Sequence, residues 1–432
     1  MKKVLVITYY WPPSGGAGVQ RILKTCKYLR EFGWEPIVYT AKDAAYPILD
    51  QSLEKDIVEG QIVLRGPIWE PYELYKRFTG QNKKERVYSG FVSGKKKPSF
   101  AQRMAVWVRG NLFIPDARKF WIKPSIKFLD NWLQTNKVDA ILSSGPPHSV
   151  HLIARDIKRK HQIPWLADFR DPWTDIDFYD QLMLTKWADR KHHRQEQSVL
   201  KECDKLATVS WGCAKGLEEL GKADVRLILN GFDHEDFEGI SAELDEKFTI
   251  NHIGFLNNDR NPPVLWEALG QLCQELPAFK NDLTLRFIGK TDPILTHDLE
   301  KNGLQEATEL VSYLPHAEVL PTLLRSQVLL LLINNTPNVL SVVSGKVFEY
   351  LAARRPIFAI GPTQGDAARV LHETGAGTMC DFEDLAGMKK EIMRLYMAYK
   401  AGKLEIEAGS IDRFTRKYNA GLFGGILDEI SG

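Results

Sequence analysis

The sequence has no apolar run long enough to cross a bilayer, which takes roughly 20 residues. Its amino terminus carries only the short apolar stretch from Val4 to Ile7 after Met1-Lys2-Lys3, which is too little for a signal peptide or a membrane span. The five cysteines are odd in number, far apart and in no metal-ligand spacing, which argues against a disulfide framework and favours a reducing cytosol. We therefore expect a cytoplasmic protein whose contact with the inner face of a membrane, if it makes one, is peripheral.

A large excess of charge of one sign is also missing. The 432 residues include 57 Lys or Arg and 55 Asp or Glu, a formal net charge of +2, so charge alone gives no reason to expect nucleic-acid binding. Residues 83–130 are an exception, with twelve basic against three acidic residues and a local net charge of +9. The aromatic residues Trp107, Phe113, Phe120 and Trp121 lie among these charges. This combination predicts contact with an anionic membrane surface; the alternative is a solvated insertion loop followed by an ordinary helix.

Short apolar runs alternate with helical patterns over most of the chain, which predicts parallel sheets covered by helices on both faces. A turn at Asn230-Gly231-Phe232-Asp233 and a polar stretch to Lys247 interrupt the alternation. The fold class is therefore α/β, with two Rossmann-like doubly wound domains at residues 1–229 and 248–405 and a hinge at 230–247. Residues 406–432 contain an amphipathic helix that fits on either half, with an apolar face formed by Phe414, Tyr418, Leu422 and Ile426.

A glycine-rich turn, Gly15-Gly16-Ala17-Gly18, follows the first predicted strand and opens a helix. Backbone N–H groups at such a turn, together with the positive end of the helix, are suited to an anion, and phosphate is the natural candidate for Gly15 and Gly16. The spacing is not G-x-G-x-x-G, because Arg21 stands where the third glycine is expected. A nicotinamide enzyme is therefore disfavoured, and a flexible turn without a ligand is the alternative.

A second candidate site begins at Lys346, after the strongly apolar strand that contains Leu329 to Leu332. Open α/β sheets bind ligands at the carboxyl ends of such strands. A cation at the start of a helix opposes the helix dipole and needs another reason to be there, which a bound diphosphate supplies. Glu349, one turn further, is a predicted hydrogen-bond acceptor for a ribose or sugar diol. The alternatives are an exposed helix lysine and a helix-surface carboxylate.

The segment from Ser344 to Ile357, SGKVFEYLAARRPI, resembles the donor-site signature of glycosyltransferase family 4. The strand and loop from Tyr9 to Gly16 and the Asn-Gly-Phe-Asp turn at 230–233 resemble other motifs of that family. Gly254-Phe255-Leu256, followed by Arg260-Asn261-Pro262, resembles its diphosphate loop. By position, Arg260 takes the basic diphosphate contact, although the arginine often found after the glycine is Phe255 here.

This resemblance covers nearly the whole chain and implies the GT-B architecture. In that architecture two Rossmann-like domains face a cleft, the second holds a nucleotide sugar, and a carboxy-terminal helix crosses back to the first. It also implies transfer of a sugar to an acceptor hydroxyl with retention at the anomeric carbon. The family's two glutamates eight positions apart are only half present, since Glu349 matches the second and Ser341 stands at the first. How the hydroxyls of the donor sugar are held is therefore left open.

A third cluster contains His148 and, at the end of a predicted buried strand, Asp168, Arg170 and Asp171. Unpaired buried carboxylates are costly, and Arg170 is the expected partner. In relatives that modify amino sugars, an acid-x-Arg-Asp-x-Trp strand end lies on the acceptor side, so the resemblance implies that Asp171 is the polar group nearest the reacting carbon, with Arg170 beside it. His148 is a candidate contact to acceptor or phosphate. The alternatives are a purely structural ion pair of Arg170 with Asp168 or Asp171, and a loop histidine with satisfied hydrogen bonds.

We expect neither a cofactor nor a required metal ion. Asp175 and Asp177 form an Asp-x-Asp, but they lie in a polar loop without a flanking buried strand, and Lys346, Arg260 and the helix ends are expected to neutralise the diphosphate instead. The expected partners are a nucleotide-sugar donor and a glycan or lipid-linked acceptor of cell-surface polysaccharide synthesis, with no nucleic acid. Two alternatives stay open, a nucleotide-sugar epimerase on the same scaffold and a non-catalytic sugar-binding protein.

Overall fold

The computed structural model describes residues 1–46, 48–70, 100–222, 224–312, 314–406 and 409–432. The basic residues Lys83, Lys84, Arg86 and Lys95 to Lys97, which contribute to the predicted membrane contact, lie outside the described residues. The chain divides into unit 1, Met1–Asn230 with Arg416–Gly432, and unit 2, Gly231–Thr415. Both units are built on purely parallel sheets with helices in the connections, which confirms the predicted α/β class.

Unit 1 contains a seven-stranded sheet. Its strands are β1 (Lys2–Thr8), β2 (Trp34–Lys42), β3 (Val63–Pro67), β4 (Ala140–Gly145), β5 (Trp165–Phe169), β6 (Lys205–Thr208) and β7 (Val225–Leu227). Their order in the sheet is β3-β2-β1-β4-β5-β6-β7. The direction of winding reverses between β1 and β4, and ligands of such sheets bind beyond the carboxyl ends of the strands at this switch point.

The helices of unit 1 connect these strands. They are α1 (Ala17–Leu29), α2 (Phe100–Leu112), α3 (Lys119–Leu133), α4 (Ser149–His161), α5 (Lys186–Glu202), α6 (Trp211–Glu219) and the carboxy-terminal α14 (Arg416–Ser431). The central strands β1, β4 and β5 are buried along most of their length, because helices cover both faces of the sheet.

The carboxy-terminal helix α14 packs against α1. The buried apolar side chains of α14 are Ala420, Phe423, Ile426 and Leu427. The predicted face is therefore partly wrong: Tyr418 is exposed, and Phe414 precedes the helix in a short 3-10 turn. A four-residue period drifts around a helix of 3.6 residues per turn, so the real apolar stripe alternates steps of three and four.

Unit 2 contains a six-stranded sheet. Its strands are β8 (Phe248–Ile253), β9 (Leu283–Ile288), β10 (Thr308–Val311), β11 (Val328–Leu332), β12 (Ile357–Ile360) and β13 (Gly377–Cys380), in the order β10-β9-β8-β11-β12-β13. The helices are α7 (Pro263–Glu275), α8 (Pro277–Asp282), α9 (Pro293–Lys301), α10 (His316–Arg325), α11 (Lys346–Ala353), α12 (Asp366–Thr374) and α13 (Leu385–Lys400). Here the winding reverses between β8 and β11, which places a second switch point beside the start of α11. None of the helices in the described ranges is long and apolar enough to cross a membrane.

Candidate active site

In unit 2, a buried histidine joins the two strands at the switch point. His252, near the end of β8, is buried, and its Nδ1 lies 2.9 Å from the carbonyl oxygen of Leu330 in β11. Burial, followed by the charge of Lys346, holds the pKa of His252 well below its usual value, so the ring is neutral. Because a carbonyl oxygen only accepts hydrogen bonds, Nδ1 carries the proton and Nε2 is left as an acceptor.

Lys346 occupies the other side of this histidine. Its Nζ lies 3.5 Å from Nε2 of His252. In this pair the lysine is the donor and Nε2 is the acceptor. The lysine side chain lies directly over Gly254, where an added Cβ would be 2.6 Å from Cε and 2.7 Å from Nζ of Lys346. Gly254 has a φ of 107°, in the region that favours glycine. The site therefore requires glycine at position 254, both for the backbone turn and for the close approach of the lysine.

Burial, and after it the positive charge of Arg260, lower the pKa of Lys346 to about 7, although the negative charge of Glu349 acts in the opposite direction. Lys346 is only partly exposed, so the alternative of an ordinary surface lysine does not hold. A cation kept in a partly desolvated position beside another cation is destabilised unless an anion joins it. The surroundings of the first residue of α11 therefore favour a nearby negative charge.

Arg260 contributes the second cation. Its Nη1 donates a 2.8 Å hydrogen bond to the carbonyl oxygen of Phe255, which holds the guanidinium against the loop after β8. Its buried Nε finds no acceptor among the described residues. Burial lowers the pKa of Arg260, although an arginine stays charged near neutral pH. The structure therefore brings Arg260 and Lys346 into one electrostatic cluster, in which one buried N–H donor has no partner.

Three further polar groups belong to this end of unit 2. Glu349 is partly buried in the first turn of α11, where a carboxylate suits the helix dipole. The hydroxyl of Tyr350 accepts a 3.2 Å hydrogen bond from the backbone N–H of Ile253 and ties α11 to the end of β8. Asn334, just after β11, has a buried Oδ1 that accepts no hydrogen bond from the described residues. Unit 2 thus offers acceptors for sugar hydroxyls at the same edge of the sheet as its cations.

The glycine-rich turn of unit 1 is only partly available to a ligand. The N–H of Gly15 already donates a 2.9 Å hydrogen bond to the carbonyl oxygen of Ile48, so it cannot serve a phosphate without breaking that bond. Gly16 caps α1 with a φ of 96°, and an added Cβ there would meet nothing within 4 Å. Of the two predicted phosphate contacts, Gly16 at the start of α1 fits an anion better than Gly15 does.

Arg170, just after β5, is bound to backbone carbonyls. Its guanidinium donates to the oxygens of Gly18, Pro146 and Gly145, the last through Nε at 3.2 Å. An added Cβ at Gly18 would lie 2.8 Å from Nη1 of Arg170, so this glycine is needed for the approach. Arg170 therefore clamps the loop after β4 to the start of α1, which is a positioning role.

Asp168 is held by Arg21, and the expected ion pair with Arg170 is therefore wrong for this carboxylate. Nη2 of Arg21 lies 2.8 Å from Oδ1 of Asp168, and Ser144 donates a 2.7 Å hydrogen bond to Oδ2. Arg21, which stands where the dinucleotide pattern has its third glycine, is thus the ion-pair partner of a buried carboxylate. Arg170 is too fully engaged with carbonyl groups to take this place.

Asp171 directly follows Arg170 in the sequence, and His148 lies in the loop after β4 that Arg170 holds. Asp171 is exposed, yet desolvation by the protein atoms around it raises the pKa of its carboxyl group, which the charge of Arg170 partly offsets. His148 is buried at the N-cap of α4, and its ring stacks on Trp173 with a centroid distance of 4.7 Å. Burial and the neighbouring His151 hold the pKa of His148 well below its usual value, so it acts as a neutral ring. Its buried Nδ1 has no hydrogen-bond partner in the part of unit 1 that the structure describes.

Sequence reasoning missed His252, Gly254 as a packing partner of Lys346, and Arg21 as the partner of Asp168. His252 lies in an apolar strand segment, FTINHI, and resembles a core residue. The only local signal for His252 is that it is a polar residue two positions before Gly254, the glycine that follows the strand. The partnership of Arg21 with a residue 147 positions away has no local signal.

No protein-family model and no curated protein sequence matches the chain, but solved structures match its fold over nearly its full length. Sucrose-phosphate synthase from Thermosynechococcus elongatus is similar over 100% of this chain and 96% of its own, with 11% identity and a TM-score of 0.59. HepE from Anabaena, in complex with UDP-glucose, is similar over 100% and 97%, with 12% identity and a TM-score of 0.56. A UDP-N-acetylglucosamine 2-epimerase is similar over 97% and 93%, with 12% identity and a TM-score of 0.53. At such low identity the likeness concerns the fold alone: this chain has the two Rossmann-like parallel domains of the GT-B fold, which transferases and an epimerase both adopt.

Proposed function

We propose that this protein is a glycosyltransferase that moves a sugar from a nucleoside diphosphate donor to an acceptor hydroxyl, with retention at the anomeric carbon. The observation that carries the proposal is the pair of cations in unit 2. Burial and the positive charge of Arg260 lower the pKa of Lys346 to about 7 although Glu349 is nearby. A diphosphate would supply the negative charge that this cluster lacks.

The same cations suit the chemistry of the leaving group. When the bond from the anomeric carbon to the diphosphate breaks, negative charge develops on the phosphate oxygen, and donors already in place stabilise it without reorganisation. Lys346, Arg260 and the backbone N–H groups at the start of α11 are such donors. Attack from the same face, guided by the leaving phosphate, requires no protein nucleophile. Glu349 and Asn334 are the proposed acceptors for hydroxyl groups of the donor.

On the acceptor side we assign Asp171 as the polar group nearest the reacting carbon and His148 as a contact to acceptor or phosphate. Asp171 is solvent-accessible with a raised pKa, a combination that suits proton exchange with a hydroxyl. His148 is uncharged and offers a hydrogen bond without a competing charge. Arg170 contributes by holding the loop from which His148 extends. We propose a lipid-linked or surface-polysaccharide hydroxyl as the acceptor, because the chain between residues 83 and 130 is strongly basic and aromatic.

A thermal-shift panel of nucleoside diphosphate sugars tests the donor site, since a ligand that binds only the folded state raises the melting temperature. We expect at least one donor to stabilise the wild type, and Lys346→Ala to lower its affinity by at least about 10-fold, the size of one lost charge-assisted contact. Lys403→Ala is the matched control, because Lys403 is an exposed lysine of the same unit. Donor binding and sugar transfer that survive Lys346→Ala within a few-fold would show that the phosphate assignment is wrong.

Product analysis separates transfer from epimerisation. An epimerase with this fold needs acid and base groups on both faces of the sugar and no acceptor, so it alters the donor when given the donor alone. We expect the donor to keep its sugar configuration and to be hydrolysed slowly when no acceptor is present. A changed sugar still attached to the nucleotide would support the epimerase, and the absence of both hydrolysis and transfer would support a binding protein.

A further inference from the structure

Helix α2 carries large apolar side chains that are exposed, whereas Gly110 and Asn111 near its end are buried. Phe100, Met104 and Trp107 follow helical spacing along one side and are 80%, 46% and 37% exposed. Gly110, one turn after Trp107, packs closely on the protein: an added Cβ there would lie 2.7 Å from the carbonyl oxygen of Leu182. A helix on the surface of a globular domain normally buries its apolar side. Within the residues that the structure describes, these large apolar side chains of α2 are left exposed, which indicates a surface for a binding partner.

The exposed side of α2 continues into neighbouring elements of unit 1. Asn111 links the end of α2 to the start of α5, because its Oδ1 accepts a 2.7 Å hydrogen bond from the N–H of Thr185. Trp187, in the first turn of α5, is 59% exposed, and Nζ of Lys191 lies 4.9 Å from its ring centroid. We call Phe100, Arg103, Met104, Trp107, Lys119, Phe120, Trp187 and Lys191 the aromatic-basic face.

The segment after α2 extends the same face. Nζ of Lys119 lies 4.8 Å from the ring centroid of Phe120, and the rings of Phe120 and exposed Trp69 form a T-shaped contact with a centroid distance of 4.8 Å. Burial lowers the pKa of Lys119, and the positive charge of Lys191 lowers it further, so these two lysines are electrostatic neighbours. Large aromatic rings and lysines thus alternate across three adjoining parts of unit 1.

The charge of these elements is strongly positive. Residues 100–127 contain six Lys or Arg and one acidic residue, and residues 185–194 contain four Lys or Arg and one acidic residue. The acidic residue of the first stretch, Asp116, accepts hydrogen bonds from the backbone N–H groups of Arg118 and Ser149, both at 2.8 Å, and so is used within the unit. Monomeric proteins rarely leave a large apolar patch uncovered, and the covering partner here must also be anionic.

We propose that the aromatic-basic face docks unit 1 onto the surface of an anionic lipid bilayer. Tryptophan is suited to the boundary between headgroups and acyl chains, because one end of its ring system is apolar and the indole N–H is polar. Lysine and arginine beside the rings meet anionic headgroups. Phe100, Met104 and Trp107 enter the interface from one helix, and Trp187 enters from another. An acidic protein would also match the charge, and it is the alternative outcome of the experiment below.

Co-sedimentation with vesicles tests this docking independently of any glycosyltransferase activity. We expect the full chain to bind vesicles of phosphatidylcholine with phosphatidylglycerol and not vesicles of phosphatidylcholine alone. Salt should weaken the binding without abolishing it, because the apolar contribution is not screened. Trp107→Ser with Trp187→Ser should lower the binding at least about 10-fold, since two interfacial aromatic anchors are lost. Arg103→Glu with Lys191→Glu should lower it by a similar factor.

Matched controls use the exposed residues Leu340 and Lys403 of unit 2. Leu340→Ser and Lys403→Glu should leave vesicle binding unchanged, and circular dichroism melting of every variant verifies folding. The proposal is overturned if the wild type ignores phosphatidylglycerol vesicles, or if the face variants bind them as the wild type does, which would assign the binding to another segment. Binding to polyglutamate without binding to vesicles would also overturn it and would identify an acidic polypeptide as the partner. Donor binding in the thermal-shift panel is a separate readout, so the two proposals fail independently.

Discussion

Arg21 and Asp168 form a buried two-point ion pair in the first unit. Nη2 of Arg21 lies 2.8 Å from Oδ1 of Asp168, Nε lies 3.1 Å from Oδ2, and the two side chains are only 2% and 0% exposed. Nη1 of Arg21 also donates a 2.9 Å hydrogen bond to the carbonyl oxygen of Leu229, beyond the end of β7. The guanidinium carbon lies 5.2 Å from the ring centroid of Phe423 in α14. One side chain on α1 therefore holds together two strand ends and the carboxy-terminal helix.

Replacing Arg21 by Met should lower the free energy of unfolding by about 3–5 kcal/mol, because it leaves Asp168 as an uncompensated buried charge. Chemical denaturation measures this loss. The matched control is Lys417→Ala, which removes an exposed 2.6 Å ion pair between α14 and Glu31, in the 3-10 turn after α1, and should cost less than about 0.5 kcal/mol. A cost for Arg21→Met no larger than that of the control would contradict a buried, structurally required pair.

Gly254→Ala should disable the donor site through the position of Lys346. The added Cβ would fall 2.6 Å from Cε of that lysine, so the side chain must move, and donor affinity should fall at least about 10-fold, as expected when one charge-assisted contact is lost. Gly402→Ala introduces a side chain at another glycine of positive φ, 63°, with nothing within 4 Å. It should therefore cost stability alone. Isothermal titration of both variants makes the comparison, and equal donor affinities would rule out the packing of Lys346 on Gly254.

The sequence predicts the buried parts of the sheets well and their edges poorly. β11 is an uninterrupted apolar strand that is buried throughout, and its composition identifies it without further information. Of the four edge strands, β7 is predicted from the mostly apolar run Val225 to Leu229, whereas β3, β10 and β13 are short, largely exposed or half-buried and are not predicted. A strand that is packed on only one side has no continuous apolar run, and the prediction depends on such a run.

The residues of the candidate site also differ in how well the sequence predicts them, because some roles show in the local sequence and others depend on distant partners. Lys346 is predictable, because a cation at a helix start conflicts with the helix dipole and this conflict is visible in the sequence. His252 and Arg21 are not predictable, because their roles depend on partners brought close only by folding: Lys346 lies 94 positions from His252, and Asp168 lies 147 positions from Arg21. Glu349 remains a prediction, as do Asp171 and His148 in their catalytic roles.

Donor binding should take up a proton above neutral pH. In the unliganded protein the pKa of Lys346 is about 7; a bound diphosphate favours the charged form and raises that pKa toward its usual value of 10.5. Between these two values the free lysine is mostly neutral and the bound lysine is charged, so affinity should fall as pH rises through this window. Below pH 7 both forms are charged and no uptake is expected.

Titration calorimetry at pH 8 in buffers of different ionisation enthalpy measures this uptake directly, with UDP-glucose or another nucleoside diphosphate sugar that stabilises the protein. The diphosphate of such a sugar has no ionisation near neutral pH, so any uptake reports on the protein. Lys346→Arg, which stays charged throughout, should bind without taking up a proton, whereas Lys403→Ala should behave as the wild type does. Proton uptake that persists in Lys346→Arg would assign the titration to another group.

His252→Leu should separate positioning from charge in the same site. The substitution removes the acceptor that faces Nζ of Lys346, so the lysine loses an interaction that favours its charged form and its pKa should fall further. The pH at which proton uptake begins should therefore move below that of the wild type. His252→Gln, which keeps a hydrogen-bonding side chain, should recover part of the shift. A role in packing alone would lower the melting temperature of His252→Leu and leave this pH dependence unchanged.

Asp171→Asn should abolish sugar transfer while leaving donor binding intact, because the donor cations belong to the other unit. In the wild type, desolvation raises the pKa of Asp171, so the charged form is lost on acidification at a higher pH than for an ordinary aspartate. The rate of transfer should therefore fall as pH decreases through that raised pKa, and this acid limb should be absent from any residual activity of Asp171→Asn. Asp175→Asn, in the loop that follows, is the matched control and should retain both the rate and its acid limb, since no metal site is expected there. An Asp171→Asn enzyme with the wild-type rate and pH profile would show that another group accepts the proton from the acceptor hydroxyl.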